Sequence, residues 1–283
     1  MFSVATNRFI PVLLSSVSML LASCGGSSVS EKAGQLYEDA VQLNNGRHYQ
    51  AALDLLDSID SVYPEAIEVR RQAMALRPIV LEQLTNRQLE VADSLSAVCA
   101  FRLDSMSKSL RLVPNPVENY YVPQSDGATD VSGAVGLHAR LSPDGRPYII
   151  ATSPGHLRTT SVSVSSGGAS ASTPSVTHDG ERSDRSGAND VITFIEGECI
   201  EIGDFVAEHK AEPVAVTFSG DRTATVQLSE SQKKGIASVF ELASLIRQSK
   251  KNELEKQRLE RMLQAVRSQI ARTVRDTVPS DGN

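Results

Sequence analysis

The side chains able to carry chemistry in this chain are few and scattered. Five histidines stand at positions 48, 138, 156, 178 and 209. No two share the close spacing with which one helix holds a zinc ion, and His-Glu-x-x-His is absent. Ser105 with Lys108, and again Ser231 with Lys234, satisfy Ser-x-x-Lys, a spacing at which a lysine can activate a serine for acyl transfer. Neither Ser-Asp-Asn nor Lys-Thr-Gly follows, and both copies lie in polar helical stretches, so a solvated helix face accounts for them. Ser166-Gly167-Gly168 has the composition of a phosphate-cradling loop but opens no apolar-periodic helix, and neither a P-loop nor Gly-x-Gly-x-x-Gly occurs. The expectation is a protein without catalytic residues, cofactor or metal, and not an enzyme.

The elements around these residues say more. Arg8 is the only charged residue before Glu31, and Phe9 to Ala22 form an apolar run too short for the ~20 residues of a bilayer-spanning helix. That is the pattern of an export signal over residues 1–23. It ends in Leu21-Ala22-Ser23-Cys24, which resembles the lipobox of bacterial lipoproteins. The resemblance implies a diacylglycerol on Cys24, an acylated amino group and loss of the signal. Several acyl chains hold a protein to a membrane where one binds only reversibly. Residues 24–30, with Gly25-Gly26-Ser27-Ser28, then form a flexible tether.

From Glu31 the apolar spacing becomes helical, with Leu36, Ala40 and Leu43 on one stripe and Asn44-Asn45-Gly46 as a stop. Tyr49, Ala52, Leu53, Leu56 and Ile59 mark a second helix closing at Tyr63-Pro64. Residues 33–66 resemble one tetratricopeptide repeat, carried by Ala40, Leu43, Tyr49, Ala52, Leu56, Ile59 and Pro64, with a departure at the turn, where Gly46 comes one place early. No second copy follows at 34 residues, and stacked repeats need about three copies. An ordinary helical hairpin is the alternative.

The helical region extends over residues 31–112, with Pro78 expected to kink or interrupt it. Val80, Leu84, Val91, Leu95 and Val98, then Leu103, Met106 and Leu110, supply its apolar stripe. A proline-rich linker spans 113–130. A β module of small antiparallel sheets with a packed helix is expected over 131–229, with residues 165–190 as a Ser- and Gly-rich loop. Ser229 caps a long amphipathic helix over 230–276, followed by a tail over 277–283. The fold class is therefore α+β, with a tetratricopeptide-like hairpin and long helices flanking the β module. The two long helices either pair antiparallel as a stalk or fold back separately on a compact body.

Composition narrows the function. The 283 residues are 40% hydrophobic and carry 28 basic against 34 acidic side chains, net −6, which excludes a generally basic nucleic-acid binder. Loss of the signal removes one basic residue and leaves −7. Beyond Cys24 only Cys99 and Cys199 remain, and in an exported chain a disulfide between them is allowed while two separate thiols fit equally. From Lys250 to Asp276 eight basic residues face four acidic ones, a strip suited to anionic lipid or to ordinary intrahelical pairing. Residues 197–245 and the Leu-Ala-Ser-Cys-Gly-Gly stretch are similar to uncharacterised Bacteroides-type lipoproteins, and the absence of an acidic run after Cys24 points to the periplasmic side in that group. The expected function is a membrane-anchored envelope lipoprotein that binds an envelope protein partner. The alternative is an envelope protein that binds glycan or peptidoglycan, weakened by an aromatic content of 5% with no Trp, which leaves Tyr148 and Phe194 as poor stacking platforms.

Overall fold

The computed structural model describes residues 28–125, 130–178 and 180–277, which form an α+β fold of five helices and ten strands. The signal, the lipobox with Cys24 and the first residues of the tether lie outside the described residues, as do residues 278–283. Among the described residues no helix is long and apolar enough to cross a membrane.

The chain divides into two compact units, residues up to Leu81 and residues from Glu82. In the first unit, α1 (Val29–Asn45) opens on a reciprocal cap: the Ser28 hydroxyl accepts from the Glu31 N–H at 3.2 Å and the Glu31 carboxylate from the Ser28 N–H at 3.3 Å. Gly46 and the left-handed Arg47 (φ 63°) turn the chain into α2 (Tyr49–Val62). Ala33 and Ala40 are buried on α1, and Ala52, Leu53, Leu56 and Ile59 on α2, so small residues let the two helices approach and larger ones fill the seam. The helical hairpin is as the spacing predicted. α3 (Ile67–Ser107) begins beside α2, where Arg70 pairs with Asp60 at 2.5 Å and Arg77 with Asp57 at 2.6 Å. It runs unbroken through Pro78, so of the expected kink or interruption there is no interruption. Proline removes one backbone bond; burial of Ala73 and Val80 and the Arg77–Asp57 pair hold the turns on either side.

The second unit contains residues 82–107 of α3 and everything after it. Here the helical reading to residue 112 is corrected. α3 ends at Ser107, and Leu110–Val113 is a strand, β1. Its partner β2 (Tyr120–Pro123) lies within the stretch expected to be a linker, in antiparallel register from Leu110 opposite Pro123 to Val113 opposite Tyr120. Then follow β3 (Gly136–Leu141), β4 (Pro147–Pro154), β5 (Ser161–Ser166), β6 (Ala169–Ser172), β7 (Ser183–Ser186) and β8 (Asn189–Ile195). Strands β6 and β7 occupy parts of the 165–190 segment read as loop. The physical reason is turn chemistry: Gly167 and Gly168 both adopt positive φ (57° and 89°), the geometry of a tight two-residue hairpin, and Gly187 (φ 60°) does the same between β7 and β8. α4 (Gly197–Glu208), β9 (Ala215–Ser219), β10 (Thr223–Gln227) and α5 (Glu230–Thr277) complete the unit.

All strand pairings are antiparallel, in a six-stranded sheet of order β1-β2-β3-β4-β8-β7 and a four-stranded sheet of order β10-β9-β5-β6. One face of each sheet packs on the two helices. The core joins Leu137, Ile149 and Phe194 of the larger sheet, Val162, Val216 and Phe218 of the smaller, Ile202 and Val206 of α4, and Ile236 and Phe240 of α5. Gly203 sits where α4 crosses α5, and a Cβ there would lie 2.1 Å from the Phe240 ring. Ser229 caps α5 as predicted, its hydroxyl accepting from the Gln232 N–H at 3.2 Å.

Beyond residue 245, α5 pairs antiparallel with α3. Asn252 Nδ2 donates to Cys99 Sγ at 3.5 Å, Lys256 bridges Asp93 at 2.7 Å and Arg267 bridges Glu82 at 2.7 Å, so the partner numbers fall as α5 rises. The α5 seam steps by four, three, four and three residues through buried Asn252, half-buried Lys256 and buried Leu259, Leu263 and Val266.

Candidate functional site

The seam is where the middle of the sequence reading of α3 is overturned, while Val80, Leu84, Leu103, Met106 and Leu110 are buried or half-buried as read. Val91, Leu95 and Val98, read as the stripe that a partner helix covers, are 48, 51 and 57% exposed. The buried side chains are one residue later: Thr85, Ala92 and Cys99, seven apart, the last of them against Asn252 of α5. Successive helical residues are ~100° apart around the axis, so these are two separate faces of one helix. Cys99 touches Asn252 of α5, and Thr85 and Ala92 share its side of α3, while Leu259, Leu263 and Val266 are buried on α5. The consequence is an outward apolar stripe of Val91, Leu95 and Val98, with Phe101 beside it at 77% exposed. Glu90 and Asp104 lie on the remaining, polar side, and Arg87 with Glu90 and Lys108 with Asp104 pair within the helix at 3.1 and 2.9 Å.

The cysteines are separate. Cys99 lies in the α3–α5 seam against Asn252, whereas Cys199, on α4, contacts the carbonyls of Glu196 at 3.3 Å and Pro147 at 3.6 Å. The allowed disulfide is therefore not formed; both are buried free thiols. Desolvation pushes the Cys199 thiol up to about 12, which leaves it a protonated, unreactive packing residue.

Among the described residues no group of three His, Cys, Asp or Glu side chains is placed to hold a metal. His138 is buried with Nε2 2.8 Å from the Ala134 carbonyl, and His209 stacks on Phe205 with ring centroids 4.1 Å apart. His156 holds a group the sequence did not single out: its Nδ1 lies 3.1 Å from Oδ1 of Asp190, whose side chain is 1% exposed. Oδ2 of Asp190 accepts the N–H of Arg158 at 2.7 Å, and Arg158 itself is left-handed at φ 51°. Burial raises the carboxyl's pKa, but the bonds from His156 and Arg158 and the charge of His178 outweigh it, and Asp190 stays below the usual carboxylate range. A histidine oriented by a buried carboxylate is the positioning half of a general base. No Ser, Thr or Cys side chain bonds its ring among the described residues, so the pair serves to clamp the β4–β5 connection onto β8.

The two Ser-x-x-Lys stretches are helix surface: Lys108 pairs with Asp104, and the Ser231 hydroxyl donates to the Ser125 carbonyl at 2.7 Å. The basic strip of α5 is partly consumed. Lys256 and Arg267 pair across to α3, Arg258 with Glu255 at 2.7 Å, and Lys250 donates to the Asp144 carbonyl at 2.9 Å. Of the two aromatic candidates, Phe194 is fully buried in the core, while Tyr148 lines a cleft on the outer face of the larger sheet. No family model, curated protein or solved structure matches this chain.

Proposed function

We propose that this protein is a lipid-anchored envelope protein that acts without catalysis, by holding an amphipathic helix of an envelope protein partner against α3. The single observation that carries the binding half is the outward stripe of Val91, Leu95 and Val98 on a helix whose other apolar face is already occupied. Its spacing of four and three residues is that of a helix–helix seam. Arg87 and Lys108 pair with acids within α3, while Arg102, one turn beyond Val98, has no ion pair among the described residues, which leaves an apolar strip with one basic residue at its end for a partner's own apolar stripe. The Leu21-Ala22-Ser23-Cys24 lipobox supports the anchoring half. Attachment to a membrane confines partner search to a thin layer, where the raised effective concentration lets a modest helical contact suffice.

Purification of the full-length protein from detergent-solubilised membranes tests both halves. The expected result is a mature N-terminus at Cys24 carrying acyl mass, and a stoichiometric protein partner that is lost from the double variant Leu95→Glu/Val98→Glu while the acyl mass stays. An unacylated N-terminus contradicts the anchor. Partner composition unchanged by the double variant contradicts the α3 face.

A further inference from the structure

The outer face of the six-stranded sheet carries a second feature, independent of α3. Between the β1–β2 connection and the ends of β4 and β8 lies a cleft of about 380 Å³. That is within the roughly 300–1,000 Å³ of small-molecule sites. Two of the chain's six tyrosines, Tyr120 and Tyr148, line it, with Val117 and Ile195 completing its apolar surface. Tyr148 stands opposite Arg140 on β3 and opposite Ile195 on β8, so the sheet register sets its place.

The polar groups form a particular set. Asn115 and Asn119 use their side-chain oxygens to shape the loop, accepting the Val117 N–H at 2.9 Å and the Asn115 N–H at 3.1 Å. Their Nδ2 donors carry no bond among the described residues. Arg146 spends Nε on Asp144 and Nη1 on Glu196, each at 2.5 Å, so two carboxylates offset its charge while Nη2 is left to donate. Glu118 lines the same cleft and has no hydrogen bond or ion pair among the described residues, which leaves a free carboxylate. Burial holds the Tyr148 phenol up at about 12, so its O–H is a neutral donor at every physiological pH.

We infer that this cleft binds a pyranose sugar unit of a glycan. A sugar ring presents apolar C–H faces, suited to the two tyrosines, and a rim of hydroxyls that both donate and accept. Four spare donors, from Asn115, Asn119, Arg146 and Tyr148, and one spare carboxylate supply both roles. An anion would need an uncompensated cation, and Arg146 is already paired with two carboxylates. The aromatic scarcity of the whole chain argued against sugar binding; the fold places two of those few rings in one cleft.

The chain has no Trp, so tyrosine emission reports this site without a brighter fluorophore masking it. Titration of the full-length protein with the disaccharide of N-acetylglucosamine, and separately with maltose, should give a saturable change for at least one, with a Kd on the order of 1 mM or tighter. Tyr148→Ala should weaken binding about tenfold, and Glu118→Gln, on an exposed loop where folding is not at stake, about threefold or more. Absence of a saturable change with both sugars up to about 50 mM overturns the assignment, as does binding that Glu118→Gln leaves unaltered. Saturable binding of putrescine that competes with the sugar would make the cleft a cation site and overturn it as well.

Discussion

Asp190 shows how little of a residue's role can be carried by its letter. In the sequence it is one acid in a Ser-, Gly- and Asp-rich stretch; in the fold it is a buried carboxylate that accepts from His156 and from the Arg158 backbone. Its partners come from the β4–β5 connection more than thirty positions away, and no spacing rule links them. Because the folded state lowers its pKa, its contribution to stability is present above the unfolded value of about 4 and is lost as pH falls through the lower folded value. Asp190→Asn should therefore destabilise by about 2–3 kcal/mol at pH 7, with the gap to the unsubstituted protein shrinking below about pH 4. Urea unfolding at several pH values reads this directly, and a gap that stays constant to pH 3 would place the cost in packing instead. Cys99 and Cys199 make the same point in reverse. Their types allowed a bridge, and it is their positions, on a helix seam and beneath β4, that separate them.

At the scale of elements, most of the fold was legible. Capping residues and apolar periodicity placed α1, α2 and α5 close to where they stand, and the expected β module with a packed helix holds β3 to β10 and α4. The misses share a cause. β1, β2, β6 and β7 are only four residues long; β6 and β7 are small or polar and bury nothing fully, while β1 and β2 sit among prolines and polar residues that read as linker. The apolar stripe of α3 was misread only in its middle: Val80, Leu84, Leu103, Met106 and Leu110 are buried or half-buried as read, but Val91, Leu95 and Val98 face outward, and the buried residues there are Ala92 and Cys99. Truncations separate these faces. Leu95→Ala should change unfolding free energy by no more than about 0.5 kcal/mol, whereas Leu259→Ala, at 1% exposure on the opposing helix, should cost about 2–4 kcal/mol. Equal costs would mean that the outward stripe is covered within the chain itself.

For the whole molecule, the sequence spoke most clearly about address and least about partners. The apolar leader and Cys24 propose an anchor by chemistry that is local in sequence, which is why two dozen residues suffice to state it. Binding surfaces are not local: the sugar cleft gathers side chains from positions 115 to 196, and the α3 stripe has meaning only once α5 has taken the other face. Both surfaces lie in the second unit, residues from Glu82 onward. The claim that joins them to the anchor is that α3 holds a partner at the membrane. Site-specific photo-crosslinking in intact cells tests it most directly, with a benzophenone side chain at Leu95 and, as control, at Ala97 on the polar side of the same helix. The account predicts one discrete crosslinked protein from position 95 and none from position 97, whereas no adduct from 95, or the same adduct from both, would contradict it.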